Sequence, residues 1–107
     1  MASSKDYLVF ILEQLSDLNE ISYRYMMGEY IIYYRQKIIG GIYDNRFLVK
    51  PTKSAVELMP DAVFEIPYEN AKPMLKVEEI DDKESLSRLL NSMYDELPDR
   101  PSKKKHK

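Results

Sequence analysis

The residues best able to carry catalysis or metal binding are few in this chain. It has no cysteine and a single histidine, His106, which lies in a lysine-rich stretch without the rigid support that a ligand or general base requires. An acidic run, Glu78, Glu79, Asp81 and Asp82, could attract a hard cation but lacks the alternating ligands and turn glycine of a calcium loop. We interpret these acids as the start of a helix, where they complement the helix dipole. We therefore expect no catalytic residue, no metal and no cofactor.

Two cations and the aromatic residues are better suited to binding. Arg24 and Lys50 could each hold a carboxylate, from within the fold or from a partner, and an intramolecular salt bridge is the simpler interpretation. Nine tyrosines invite a nucleic-acid hypothesis, because exposed rings can stack bases. Here the rings alternate with aliphatic residues and few cations accompany them, so we interpret them as packing within a sheet. Met26 and Met27 are interpreted as core residues rather than as an adaptable binding surface.

Two adjacent glycines, Gly40 and Gly41, lie inside a predicted strand, where glycine usually marks a bulge or a close approach. A phosphate-binding loop would need a glycine-rich turn that leads into a helix, whereas another strand follows here. We predict that a helix packs closely against the pair.

The net charge of −2 is unevenly distributed. Residues 99–107 hold five of the 16 cations and one of the 18 anions, so they carry +4 and residues 1–98 carry −6. DNA affinity comes mostly from cations that neutralise phosphates, so the acidic body argues against sequence-specific nucleic-acid binding. With Pro101, a lysine cluster and no apolar side chain, residues 99–107 are predicted to be a disordered basic tail after a domain of residues 1–98.

Composition favours one folded domain. The chain has 107 residues, 44% hydrophobic and 32% charged, which is close to ordinary globular usage. The lack of cysteine fits a reducing compartment, and we expect a cytoplasmic protein. No segment approaches the ~20 apolar residues of a membrane helix, and the first residues lack the pattern of a signal peptide.

The elements that would position these residues follow from hydrophobic spacing. A helix is predicted from Asp6 to about Leu18, because its apolar residues form one stripe, and Ser3 is its predicted cap. From Ile21 to Lys50 the period becomes that of strands, divided by turns at residues 35–37 and 44–45 that are typical of antiparallel hairpins. The predicted strands after the first are Glu29–Tyr34, Ile38–Tyr43 and Arg46–Lys50.

The second half of the chain alternates short elements with prolines. Thr52 is predicted to cap a short helix that ends before Pro60, and residues 60–73 are predicted to be extended at a sheet edge or to form a packed loop. Residues 74–77 form the last predicted strand, and a final helix begins at Asp81 or Asp82. The fold class is therefore α+β, an antiparallel β-meander packed against N- and C-terminal helices.

The order of these motifs resembles the TfoX N-terminal domain family, named for bacterial regulators of natural competence. The stretch Arg24-Tyr25-Met26-Met27-Gly28-Glu29-Tyr30 is similar to the family signature Arg-x-Met-Phe-Gly-Gly-Tyr. Residues 39–43, Ile-Gly-Gly-Ile-Tyr, follow after a turn, and residues 47–50, Phe-Leu-Val-Lys, stand where the family often has Leu-Tyr-Leu-Lys. The resemblance covers about residues 6–98. Met27 and Glu29 depart from it by replacing the usual Phe and second Gly.

The resemblance implies a fold like that of small secretion chaperones, no catalytic residues and a role in transcription regulation. Its signature residues become the candidate interaction residues: Arg24, Met26, Gly28, Tyr30 and Lys50. We expect a non-enzymatic regulatory or protein-binding module whose partner is another protein, with a homodimer as an alternative. The other hypotheses are a small-molecule-binding domain, an enzyme, or a weak nucleic-acid binder through the basic tail.

Overall fold

The computed structural model describes residues 3–98, in which three helices flank and interrupt a run of six strands. Five antiparallel pairings join the strands into one sheet with the order β1-β2-β3-β4-β6-β5. This confirms the predicted α+β class and the antiparallel sheet. The elements are α1 (Lys5–Gln14), β1 (Ile21–Met26), β2 (Glu29–Tyr34), β3 (Lys37–Ile42), β4 (Phe47–Val49), α2 (Lys53–Leu58), β5 (Phe64–Glu65), β6 (Met74–Lys76) and α3 (Lys83–Tyr94).

Three two-residue turns connect the first four strands. Both residues of each turn have positive φ, the conformation whose twist matches that of the flanking strands in tight hairpins. The turn at residues 44–45 uses Asp and Asn, which tolerate this region, and was expected from their chemistry. The other two turns place Met27, Arg35 and Gln36 in this region, where their side chains are less suited, whereas Gly28 adopts it readily. The three turn pairs are Met27-Gly28, Arg35-Gln36 and Asp44-Asn45.

A β-bulge lies directly before the two glycines of β3. Ile32 pairs with Gly40 and the next residue, Tyr33, pairs with Ile38, so Ile39 is an extra residue in β3. A Cβ built on Gly40 would lie 2.1 Å from the carbonyl oxygen of Leu48 in β4. The predicted helix contact is therefore wrong, because the close neighbour of Gly40 is the backbone of the paired strand.

Gly41 is enclosed differently. Its Cβ would lie 2.6 Å from the Tyr30 carbonyl oxygen and 2.7 Å from the ring of Tyr43. Here too the close neighbours belong to the sheet, and no helix atom is among the three nearest. The pair therefore serves packing within the sheet. A role in the fold was predicted because another strand follows the glycines, but the partner was expected to be a helix.

The three helices share one hydrophobic core with one face of the sheet. The core residues from the helices are Leu8, Ile11, Leu15, Ala55, Leu86, Leu89, Leu90 and Met93, and they meet strand residues such as Tyr30, Ile32, Ile42, Phe47 and Val49. Thr52 and Asp82 cap α2 and α3 as predicted, since their side chains accept hydrogen bonds from the N–H groups of Ala55 and Ser85. All three helices lie on the same side of the sheet.

The beginning of α1 differs from the prediction. Ser4, not Ser3, caps the helix by accepting a hydrogen bond from the Tyr7 N–H, and the helix ends at Gln14 rather than near Leu18. Ser3 is buried instead. Two adjacent serines offer the same chemistry, and contacts distant in sequence decided which one caps the helix.

Those contacts join Ser3 to two hairpin turns. Its hydroxyl donates to the Glu29 carboxylate over 2.7 Å and accepts from the Asn45 N–H over 3.0 Å. The same carboxylate oxygen accepts from the Asp44 N–H over 3.1 Å, and the Ser3 N–H donates to the Gly28 carbonyl. Glu29, which departs from the family signature, therefore fastens the turn at residues 27–28 to the turn at residues 44–45.

Two further predictions concerned a basic tail at the end of the chain and the lack of a membrane-spanning helix. The predicted basic tail, residues 99–107, lies outside the described residues. Within residues 3–98, none of the helices is both long and apolar enough to cross a membrane.

Candidate functional site

The two edges of the sheet differ in how well they are protected against pairing with another chain. At one edge, β5 has only two residues, and Pro60, Pro67 and Pro73 lie in the segment around it. Short strands and prolines are devices that prevent edge-to-edge association. At the other edge, β1 has six residues, no proline and one charged side chain, Arg24. The β1 edge is the unprotected one.

The hydrogen-bond phase of β1 shows which of its backbone groups are unpaired. A two-residue turn makes its flanking residues, Met26 and Glu29, a hydrogen-bonded pair, and such pairs recur at every second residue. The Arg35 N–H donates to the Glu20 carbonyl over 2.9 Å. Glu20 therefore also points its backbone groups towards the neighbouring chain segment, as Met26 does. The even-numbered residues of β1 thus turn their N–H and C=O groups towards β2. The residues whose groups point to the free edge are Ile21, Tyr23 and Tyr25.

Two exposed rings flank this edge on the helix-bearing face. Tyr23 and Tyr25 contact the ring of Tyr30 edge-on, with centroid separations of 5.8 and 5.4 Å. Tyr30 is buried, whereas Tyr23 and Tyr25 are 44% and 62% exposed. The sheet-packing interpretation of the tyrosines therefore holds for Tyr30, while the two rings on β1 remain largely accessible.

Between α1 and β1 runs a shallow groove on the same face. Its apolar lining comes from the end of α1 and the following loop on one side and from the start of β1 on the other: Leu12, Leu15, Leu18, Ile21 and Tyr23. Leu15 is fully buried at its floor, and Leu12, Leu18 and Ile21 are partly exposed.

The predicted signature residues fall into two groups. Arg24, Met26, Gly28 and Tyr30 all lie on the β1–β2 hairpin, with Arg24 and Met26 on the face opposite the helices. Gly28 occupies the turn with φ of 88°, and its role there is conformational. Lys50 lies after β4, three strands from β1.

The salt bridge predicted for the two signature cations is absent. Within residues 3–98, neither Arg24 nor Lys50 forms an ion pair, and the pairs that do form are Arg35–Glu20, Arg46–Glu65 and Lys76–Glu78. Partial burial lowers the pKa of Lys50 below its ordinary value, because desolvation disfavours the ammonium. Arg24 is exposed on the open face of the hairpin.

The interpretation of Met26 and Met27 as core residues is wrong. Met26 is 43% exposed and Met27 is 93% exposed at the tip of the hairpin. The sequence did indicate that Met27 is exposed. Met27 precedes a glycine between two strand patterns, which is the position of a tight turn. An exposed methionine with φ of 53° has neither burial nor turn propensity to explain it.

A second concavity of about 280 Å³ lies between α2, β6 and α3. Its apolar floor includes Met59, Leu86 and Leu89, and its rim mixes both signs of charge. The Lys76 ammonium lies 3.8 Å from the Glu78 carboxylate. The rim therefore presents no uniform field to a charged ligand.

The acidic run predicted to start a helix does so. Asp82 is the N-cap of α3, and hydrogen bonds from the Ser85 N–H and hydroxyl lower the pKa of its carboxyl. No group of three or more His, Asp or Glu side chains within residues 3–98 is arranged to hold a metal ion.

The fold and the site define a small α+β protein with one unprotected sheet edge, flanked by exposed aromatic rings. No protein-family model matches the chain, and no solved structure matches it. The chain is similar to a protein of Spirochaeta aurantia described as an uncharacterized 12.7 kDa protein in the trpE 5′ region. The two are 33% identical over 72 residues, which cover 67% of this chain and 63% of that relative. The match thus spans less than two thirds of the relative's length.

Proposed function

We propose that this protein is a non-enzymatic regulatory module that binds another protein chain through the free edge of β1. The observation that carries the proposal is the six-residue edge strand without proline, whose outward backbone groups are unpaired within the described part of the chain. A partner strand could complete the ladder there, and alternate side chains would give the contact its specificity. A cytoplasmic location, expected from the lack of cysteine, belongs to the same proposal.

The side chains around the edge support binding of a protein. Tyrosine and methionine are enriched at protein interfaces. Tyrosine buries a large area at low cost in conformational entropy, and the flexible methionine side chain adapts to the shape of a partner. Tyr25 and Met27 are 62% and 93% exposed beside the edge, although such residues are usually covered. The resemblance to the TfoX N-terminal domain points to the same hairpin, because Arg24 and Met26 belong to its signature.

The test is affinity capture from the host lysate with matched variants at the two edges. Tyr25→Lys places a charge beside β1, and Phe64→Lys places the same charge beside β5, where Phe64 is 54% exposed. We expect wild type and Phe64→Lys to retain the same protein and Tyr25→Lys to lose it, with equal circular dichroism spectra for all three. Capture that survives Tyr25→Lys would show that the β1 edge is not the contact.

The second candidate function is small-molecule binding in the cleft between α2, β6 and α3. Its volume of about 280 Å³ lies just below the ~300 to 1,000 Å³ of typical ligand pockets, and its floor is apolar. Opposite charges at its rim partly neutralise one another, so the rim provides no uniform field to orient a charged ligand. Substitution of Leu89 by Lys would abolish any ligand-induced rise in melting temperature that arises there.

A further inference from the structure

We propose that the chain that occupies the β1 edge is a second copy of this protein. The two β1 strands pair antiparallel across a twofold axis, with residue 23 of one copy opposite residue 23 of the other. This proposal rests on the proposed function, since it names the partner of the same edge. The two six-stranded sheets become one continuous sheet with the helices of both copies on the same side.

Symmetry and backbone phase select the register. When the twofold axis is perpendicular to the sheet, opposed residues must both be odd-numbered or both even-numbered, because both helix-bearing faces lie on one side. The outward groups belong to Ile21, Tyr23 and Tyr25. When the register is centred on Tyr23, all three residues are paired. Tyr23 lies opposite the partner's Tyr23, Ile21 lies opposite the partner's Tyr25, and Tyr25 lies opposite the partner's Ile21. This register makes about six main-chain hydrogen bonds, whereas centring on Ser22 or Arg24 makes about four within the strands.

Charge favours the same register. Centred on Arg24, the two guanidinium groups would oppose each other in a non-hydrogen-bonded pair, where Cα atoms are only ~4.5 Å apart and like charges destabilise. Centred on Tyr23, Arg24 lies opposite the partner's Ser22. Arg24 is the only charged residue of β1, so no other repulsion arises along the strand.

The groove beside β1 supplies a seat for an exposed ring. In the register centred on Tyr23, the partner's Tyr25 lies opposite Ile21 on the helix-bearing face. Ile21 is part of the apolar groove that also includes Leu12 and Leu18, both partly exposed. The partner's Tyr25 ring, 62% exposed in the single chain, is thereby brought to an apolar surface, and the axis repeats the contact.

A second copy accounts for these features better than an unrelated peptide does. Any extended peptide could pair with the outward backbone groups. Self-association also gives the exposed ring and the groove a common role. Tyr25 and Ile21 are four residues apart on one strand, and a single twofold register brings the ring of each copy to the groove of the other.

The register can be read by disulfide cross-linking, because the chain has no cysteine of its own. The variants Ser22→Cys and Arg24→Cys are prepared separately, mixed in equal amounts and oxidised. Opposed residues 22 and 24 would have Cα atoms ~4.5 to 5.5 Å apart, within the range of a disulfide. We expect a mixed disulfide dimer in greater yield than the dimer of either variant alone. A higher yield from Ser22→Cys alone or Arg24→Cys alone would assign another register and overturn the proposal.

A second measurement does not depend on cysteine. Sedimentation equilibrium should show a concentration-dependent dimer for wild type and for Phe64→Lys. In Tyr23→Pro the lost N–H points to the free edge, so the pairing of β1 with β2 is spared. Loss of the central pair of hydrogen bonds should weaken the dimer by about tenfold or more. Circular dichroism checks that the variant is folded.

The two proposals fail in different ways. If wild type is monomeric at all concentrations but captures a host protein that Tyr25→Lys loses, the second copy is refuted and the binding edge stands. If wild type is monomeric and its capture is insensitive to Tyr25→Lys, both are refuted. A dimer that Tyr23→Pro leaves unchanged would also overturn the β1 pairing, because it would have to form elsewhere.

Discussion

At the scale of single residues, neither Gly40 nor Gly41 leaves room for a Cβ atom. The two positions differ in which atoms such a Cβ would meet. All three atoms nearest to a Cβ on Gly40 are backbone atoms of residues 48 and 49, whereas two of the three at Gly41 belong to the Tyr43 ring. A ring can move more readily than a paired strand. The bulge at Ile39 directly precedes Gly40 in β3.

We therefore predict that Gly40→Ala destabilises the protein more than Gly41→Ala does. Overpacking typically costs about 1 to 3 kcal/mol, and Gly41→Val should cost more than about 1 kcal/mol because its branched side chain must displace the Tyr43 ring. The measurement is the free energy of unfolding from urea titrations. An unchanged midpoint for Gly40→Ala would mean that β4 can shift away, and would contradict the close approach.

Met27 is a residue whose local conformation and exposure disagree with its type. Its φ of 53° suits Asn or Gly better, and its side chain is 93% exposed. Residues retained against their own propensity tend to lie at functional sites, where the contact outweighs the local strain. This agrees with the proposed binding role of the β1 edge, beside which Met27 lies.

At the scale of elements, α3 and α2 are joined by a cap supplied across the fold. The Glu96 carboxylate, just after α3, accepts hydrogen bonds from the N–H and hydroxyl of Ser54 in the first turn of α2, over 2.9 and 2.5 Å. These two bonds lower the pKa of Glu96 below its ordinary value of 4.5, and the bond from the hydroxyl has the larger effect. A six-residue helix thus receives N-terminal partners from its own Thr52 and from Glu96.

This cap predicts a change in acid stability. Because the pKa of Glu96 is lowered on folding, its contribution is present above pH 4.5 and is lost as the pH falls through the folded value. Glu96→Gln should therefore lower the melting temperature near neutral pH, and the difference from wild type should shrink in acid. Glu57→Gln, on α2 and exposed, is the matched control. A difference that stays constant with pH would show that the charge of Glu96 is not involved.

At the scale of the whole molecule, charge separates the body from the segment that follows it. Residues 1–98 carry −6 and residues 99–107 carry +4. The acidic body repels phosphate, while the five cations of the terminal segment can attract it without reading a sequence. Regulation through direct reading of DNA is therefore disfavoured relative to regulation through a protein contact.

We predict that any DNA binding is weak, non-specific and lost when residues 99–107 are removed. With at most five phosphates neutralised, the slope of log affinity against log salt should not exceed about 4.5 in magnitude. Labelled promoter and scrambled duplexes are titrated against full-length and truncated protein at several salt concentrations. Truncation should leave the melting temperature unchanged, because the removed residues hold no apolar side chain. Promoter preference by the truncated protein would refute the charge argument.

The local features of the fold could be predicted from the sequence because they depend on neighbours in the chain. The spacing of apolar residues indicated α1, α3 and most strands, and Glu29–Tyr34 was predicted with its observed bounds. Thr52 was identified as a cap, and Asp81 or Asp82 as the start of α3, because a cap bonds only two or three residues ahead. The α+β class followed from the order of these elements.

Contacts between distant residues were decided only by the tertiary structure. Ser3 and Ser4 are indistinguishable as caps until Glu29 and Asn45 engage Ser3. The neighbours of Gly40 depended on a bulge that shifts the register of β3, and no periodicity in the sequence marks that shift. The same holds for the candidate site, because Met26 and Met27 read as apolar core residues. Which strand lies at an edge is set by the pairing of all six strands, so the sequence specified the residues of β1 and the assembled sheet left them exposed.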